Sequence, residues 1–390
     1  MERITDRLLS WASILEPGTL EQARAASTMP FIYPHLALMP DAHLGLGATV
    51  GSVIPTLEAI MPAAVGVDIG CGMIAVKTQW NREDVAGAGS LTTLRERIER
   101  AIPLSAGGNN RKVAATAEPR IAELTERADA IGLSPGAYVS KWELQLGTLG
   151  SGNHFIEVSL DESHAVWLFL HSGSRGVGNR IAGHHIKVAK RLTEAARIPL
   201  PDRDLAYLEE GTHEFDRYIA DLRWAQHFAL LNREEMMDRV IRQVSGFFGE
   251  PLVEGERINT HHNFTEHEEH FGKEVWLSRK GAISAKLGEP GLIPGSMGTA
   301  SYVVTGKGDK FALESSPHGA GRTHSRSAAR KKFTREQLRE AMRGIEYRDS
   351  AAFLDEIPQA YKDIDQVMAD AADLVSVRHT LRQILNVKGD

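Results

Sequence analysis

Val65-Gly66-Val67-Asp68-Ile69-Gly70-Cys71-Gly72 holds the only cysteine of the chain, framed by glycines and preceded three positions earlier by a carboxylate. In a tight glycine-bounded turn, groups at i and i+3 can converge on one point, and a thiolate can bridge two cations. A solitary cysteine is commonly an inert core residue. Here the flanking glycines and Asp68 favour a metal ligand. One cysteine also excludes an intrachain disulfide framework and fits a reducing compartment.

Outward from this turn, residues 30–80 are rich in Gly, Val, Ile and Pro, with short apolar runs such as Ala63-Ala64-Val65-Gly66-Val67. This texture predicts buried strands joined by glycine turns. Phe155-Ile156-Glu157-Val158 and Val166-Trp167-Leu168-Phe169-Leu170 read as two further strands, each flanked by a histidine. Residues 82–140 are charged, with a helix expected over Leu91 to Ile102 and a loop at Gly107-Gly108-Asn109-Asn110. From His213 to Phe248, Phe215, Ile219, Leu222, Met237, Val240, Ile241 and Val244 fall at helical spacing. With no repeat, low-complexity tract or linker, the pattern predicts one α+β domain over residues 1–390, central β-sheets flanked by helices.

The 42% of hydrophobic residues suffices for a sizeable core. The N-terminus is charged, and no apolar run approaches the roughly 18 residues needed to cross a bilayer. The expectation is a soluble, cytoplasmic protein with no membrane partner. A net charge of −6 argues against non-specific coating of nucleic acid but is compatible with a local basic patch.

Four motifs carry chemistry. Gly150-Ser151-Gly152-Asn153-His154-Phe155 and His171-Ser172-Gly173-Ser174-Arg175-Gly176 each put an imidazole at a strand edge beside glycines, and Thr260-His261-His262-Asn263 offers a third. Any one of these is commonly a half-buried polar residue. Together with Asp68 and Cys71 they supply one carboxylate, one thiolate and three imidazoles, enough for two cations sharing the sulfur. In Ser316-Pro317-His318-Gly319-Ala320-Gly321-Arg322 a histidine lies between Pro and Gly, followed by Arg322, Arg326 and Arg330 at i, i+4 and i+8. If helical, this stretch presents the arginines on one face suited to phosphates. Gly45-Leu46-Gly47 and Gly306-Lys307-Gly308-Asp309-Lys310 lack the dinucleotide and Walker spacings, so neither nucleotide fold is supported.

The chain resembles the RtcB family of RNA ligases nearly end to end. The resemblance runs through Met39-Pro40-Asp41-Ala42-His43, the Asp68–Cys71 turn, Leu149-Gly150-Ser151-Gly152-Asn153-His154-Phe155, the His171 motif, Pro294-Gly295-Ser296-Met297-Gly298-Thr299, His318-Gly319-Ala320-Gly321-Arg322 and Val387-Lys388-Gly389. It implies a GTP- and manganese-dependent ligase joining an RNA 3′-phosphate or 2′,3′-cyclic phosphate to a 5′-hydroxyl. By this resemblance Asp68, Cys71 and His154 hold one manganese ion, and Cys71, His171 and His262 the other. His318 is the nucleophile that accepts GMP, with Gly319 and Ala320 beside it. Asn153 and Asn263 donate to phosphate oxygens. Glu157 can accept from guanine N1–H and the 2-amino group, which discriminates against adenine; Ser296, Ser301 and Lys388 complete that pocket. Arg175, Lys280, Arg322 and Arg326 contact RNA phosphates, and an archease-type activator is a possible partner.

Two positions depart from the family: Leu46, where many members carry Lys, and His324, where Met is common. Neither falls on an expected ligand position. Two other functions stay open at this point. A metal-dependent phosphodiesterase or phosphatase needs neither a guanine pocket nor His318, and a capping protein would stop at GMP addition and give no joined product.

Overall fold

The computed structural model describes residues 1–390. Two sheets dominate. A six-stranded sheet runs in the order Glu2–Thr5, Leu8–Ser10, Leu36–His43, Val50–Thr56, Lys273–Lys280, Asn263–His270. A seven-stranded sheet runs Glu256–His261, Gly72–Asn81, Ala165–Ser172, Phe155–Leu160, Val375–Lys388, Ser301–Gly306, Pro290–Ile293. The α+β expectation holds.

Side-chain alternation explains how the layers assemble. Along Gly72–Asn81, Met73 and Ala75 face a core shared with Met39, Val53, Val275 and Leu277 of the other sheet. Ile74 and Val76 point the opposite way, onto helices. Trp167 and Phe169 likewise face the first core, and Val166, Leu168 and Leu170 the second. The strands are buried on both sides, which is why they read as continuous apolar runs. The covering helices are Leu91–Ala101, through Leu94 and Ile98, and the 36-residue helix His213–Phe248, through Met236, Val240 and Val244. The Thr212 hydroxyl caps the long helix by accepting from Phe215 N–H, and Gly249 ends it in the left-handed region at φ 81°. Truncating any of these buried leucines to Ala should cost about 2–5 kcal/mol.

Two expectations are corrected. Pro62–Val65 is a short helix rather than a strand. Proline at its first turn favours the helical φ, and all four residues are buried, so the run carries no periodicity to distinguish the two. The stretch after His318 is not one helix either. The Ser325 side chain caps a helix that begins only at Arg326, while Arg322 forms an isolated bridge with Tyr361.

Candidate metal and nucleotide site

Strand register brings the histidine motifs together. Gly72 pairs with both Ser172 and His261, and His171 pairs with Phe155, so Cys71, His171, His154 and His262 collect at one end of the seven-stranded sheet. The turn that carries Cys71 closes by Cys71 N–H donating to Asp68 O at 3.1 Å, with Gly70 at φ 67°. Gly173 lets the second motif approach: a Cβ there would meet Asp68 Oδ1 at 2.2 Å.

The resulting donor set is compact. Cys71 Sγ lies 3.4 Å from His154 Nε2 and 3.2 Å from His171 Nε2. His154 Nε2 is 3.1 Å from Asp68 Oδ2, and His171 Nε2 is 2.9 Å from His262 Nε2. These atoms form two groups that could each hold a cation, Asp68–Cys71–His154 and Cys71–His171–His262, sharing the sulfur. The outer nitrogens of two rings are anchored on carbonyls, His154 Nδ1 at 2.9 Å from Leu149 O and His171 Nδ1 at 3.1 Å from Asn153 O. A proton held on Nδ1 leaves Nε2 a lone-pair donor, the arrangement a metal requires. Burial drives both His171 and His262 well below the ordinary imidazole range, and neighbouring imidazoles add to it. Burial also pushes the Cys71 thiol up, with the Asp68 carboxylate adding to it. Burial would raise Asp68 too, but the His154 ring and charge override it and hold that carboxyl at about 2. Nitrogen, oxygen and sulfur donors converging this way fit two divalent cations.

A cavity of about 320 Å³ opens beside this cluster and is lined by Asp68, His171 and His262 together with Glu157, Asn386 and Lys388. His318 lines the same cavity, its ring centroid 4.5 Å from that of His262. Asp41, fully buried on Leu36–His43, accepts the backbone N–H groups of His318 and Gly319 at 3.1 Å each. The same carboxylate oxygen lies 2.7 Å from His318 Nδ1. Nδ1 makes no hydrogen bond in this arrangement, so the contact is electrostatic. The nearby carboxylate biases the proton to Nδ1 and leaves Nε2 free.

The family model described as tRNA-splicing ligase RtcB matches residues 22–389. The chain belongs to the RtcB family. It is 45% identical over 389 residues to the RNA-splicing ligase RtcB of Escherichia coli K12, covering 96% of this chain and 95% of that protein. It is 32% identical over 434 residues to the tRNA-splicing ligase RtcB of Pyrobaculum aerophilum, covering 94% and 89%. With the RtcB protein of Thermococcus kodakarensis the identity is 31% over 417 residues, covering 90% and 86%.

The remaining RtcB-type positions divide by where they point. Asn153, Asn263, Ser296, Gly319, Ala320, Lys280, Arg322 and Arg326 line the cavity, whereas Ser301 and Arg175 do not. Ser301 is buried with its hydroxyl unpartnered. Arg175 lies behind the metal-type ligands, Nε donating to Thr148 Oγ1 at 3.2 Å and Nη1 standing 3.4 Å from His154 Nδ1. Both ends of the Asn263 amide are already used, by Asp68 O at 3.2 Å and Gly281 N–H at 2.8 Å. Lys280 donates to the carbonyls of Leu46 and Ala63, and burial lowers it to about 7. Leu46 thus enters through its backbone, which Lys or Leu supplies equally. His324 Nε2 lies 2.9 Å from the Lys332 ammonium.

Two residues that the motifs did not single out matter here. Asp41 stands in a quoted motif, and an acid two residues from His43 was the available signal. Glu356 had none. It is buried and joins the two halves of the site: Lys388 Nζ lies 3.4 Å away, Arg322 Nη1 3.2 Å and Arg326 Nη1 3.5 Å, and Tyr361 donates to it at 2.6 Å. Lys388 itself, near the chain end, is 4% exposed because its strand runs into the sheet beside Phe155–Leu160.

Proposed function

We propose that the protein is a GTP-dependent RNA ligase that joins an RNA 3′-phosphate to a 5′-hydroxyl through a guanylate on His318, and that residues 1–390 work as one cytoplasmic unit. The observation that carries this reading is that His318 shares one cavity with the metal-type cluster and with the buried Glu157 and Lys388. Asp68, Cys71, His154, His171 and His262 would hold two divalent cations, manganese by family resemblance, which neutralise the triphosphate and polarise its phosphorus atoms.

The chain's own residues supply the rest. His318 Nε2 attacks the α-phosphorus of GTP, an N–P bond forms, the α–β P–O bond breaks and pyrophosphate leaves. Asp41 stabilises the imidazole as it becomes positive. An oxygen of the RNA 3′-phosphate then takes the guanylyl phosphorus from nitrogen, restoring the neutral ring. Finally the RNA 5′-hydroxyl attacks the activated 3′-phosphate, loses its proton to a base, and GMP departs. A 2′,3′-cyclic end first takes up water to open to the 3′-phosphate. Arg326, with a half-exposed side chain, is the cation best placed for RNA phosphates, and Lys280, lowered to about 7, offers a hydrogen-bond donor rather than a full positive charge.

Intact mass measured after incubation with GTP and Mn²⁺ tests the reading. The expected result is one GMP added to the parent and none to His318→Ala, followed by joining of RNA carrying 3′-phosphate and 5′-hydroxyl ends. A His318→Ala protein that still gains GMP refutes it. So does a parent that only hydrolyses or caps RNA ends.

A further inference from the structure

Beyond the cavity, the chain carries more exposed positive charge than the reaction above uses. Residues 326–343 hold seven Lys or Arg and two acids, a net charge of +5, so the rest of the chain carries −11. All nine of these charged residues are exposed. The stretch folds as two short helices, Arg326–Lys332 and Arg335–Ala341. Ala329, Leu338 and Met342 hold both in an apolar cluster with Phe353 and Ile357, which turns the charged sides outward. Pairing does not neutralise the face. Arg326 and Arg330 share Asp355, at 3.8 and 3.2 Å, and Arg335 and Arg339 share Asp349, at 2.8 and 2.7 Å. Lys331 and Lys332 pair with no carboxylate, and the Lys332 ammonium meets only the His324 ring. Exposed ion pairs of this kind contribute about 0–1 kcal/mol each, so a phosphate can take over either partner at small cost.

The face is also continuous with the site. Arg326, the first residue of the first helix, lines the cavity that holds His318. That helix runs about 10 Å, with Lys331 and Lys332 at its far end. We infer that this face carries the phosphate backbone of the RNA beyond the end being joined, with Lys331 and Lys332 as contacts. Recognition here is independent of sequence: the face offers cations, and its one aromatic ring, Phe333, is half-buried. An acidic protein partner would need an exposed apolar anchor at the centre of the face, and Leu338 and Met342 are instead buried. The inference rests on the reading that the protein joins RNA ends.

The test compares binding of a trinucleotide 3′-phosphate with that of a 3′-phosphorylated single-stranded RNA of about 20 nucleotides, across a salt series, in the parent and in the double variant Lys331→Gln, Lys332→Gln. Losing two phosphate contacts should flatten the logarithmic salt slope for the long RNA by about 1.4 and weaken its binding roughly tenfold at low salt. Trinucleotide affinity, thermal unfolding and the GMP adduct on His318 should stay at parent values. A variant that keeps the parent's affinity and slope for the long RNA overturns the inference and leaves the ligase reading standing. Equal losses for both lengths overturn it too, because the lysines would then act at the RNA end itself. A parent that binds neither RNA overturns the proposed function, and this inference with it.

Discussion

Replacing Asp41 by Asn isolates the charge that prepares His318. The carboxylate makes three contacts through one oxygen: two backbone N–H groups at 3.1 Å and the ring nitrogen Nδ1 at 2.7 Å. An asparagine carbonyl can still accept from the backbone pair, so the loop should stay in place. What would be lost is the negative charge facing a ring that, in the proposed reaction, becomes positive as Nε2 bonds to phosphorus. A charge-assisted contact contributes about 1.5–3 kcal/mol against about 1 for a neutral one, so the transition state should lose about 0.5–2 kcal/mol, or roughly 2- to 30-fold in rate. Asp41→Ala behaves differently. It strips the acceptor from both backbone amides, and each unsatisfied group costs about 1–3 kcal/mol of stability. The assay is the time course of GMP addition to His318 beside thermal unfolding of the same samples. Slow guanylylation with near-parent stability for Asn, and a marked loss of stability for Ala, are expected. A folded Asp41→Asn protein that guanylylates at the parent rate would show that Asp41 only holds the loop.

Three further outcomes follow from the site. Cys71→Ala should weaken binding of both cations more than loss of any single histidine, because the sulfur belongs to both donor groups; a metal titration showing two ions at near-parent affinity would make Cys71 a core thiol. Burial pushes Glu157 up to about 8 against the opposing charge of Lys388, so the free protein holds it largely protonated at neutral pH. GDP affinity should therefore rise roughly tenfold per unit as pH climbs toward 8 and then level. The sign for stability is opposite: the folded state binds the extra proton, so stability falls as pH rises through about 8, and Glu157→Gln should remove both trends in calorimetric and unfolding profiles. Arg326→Ala should leave guanylylation largely intact and weaken joining by about 1.5–3 kcal/mol. Arg322→Ala should instead destabilise the protein by about 2 kcal/mol, since Glu356 keeps Lys388 and Tyr361 and is not left wholly uncompensated. Equal effects of the two arginine variants on melting and on joining would refute that division.

The parts of the fold that were legible in the sequence are those whose periodicity survives burial. The segment His213–Phe248 was legible as helical from its apolar spacing, but where separate helices were expected it forms one continuous 36-residue helix. Pro62–Val65 was misread because four buried residues have no exposed face to break the run. The metal-type cluster was legible for another reason. Cysteine, histidine and aspartate beside glycines mark chemistry locally, and strand register then brings the marks together. Residues that act by position carry no such mark. Glu356 is an ordinary polar side chain in sequence, and its role arises only from the partners that the fold gives it.

Glu356 shows what that hidden layer does. The arginines after His318 were expected on one helical face, apart from the nucleotide end. Instead Arg322 comes from an isolated bridge and Arg326 from the helix that starts with it, and both meet Lys388 at one buried carboxylate. Burial lowers the Lys388 ammonium, and the Glu356 charge opposes that shift. An RNA phosphate that draws Arg326 away from Glu356 removes one of the three cations sharing it and strengthens the claim of Lys388 on what remains. If RNA engages Arg326 and a guanosine nucleotide engages Lys388, the two should thus be coupled through a single carboxylate. By reciprocity, a guanosine nucleotide that recruits Lys388 should leave Arg326 more tightly held, so the two ligands should weaken each other's binding to the same degree. Measuring GDP affinity with and without a 3′-phosphorylated oligonucleotide, in the parent and in Glu356→Gln, reads that coupling. An antagonism that persists unchanged in Glu356→Gln would show that the two ligands interfere by direct contact rather than through this residue.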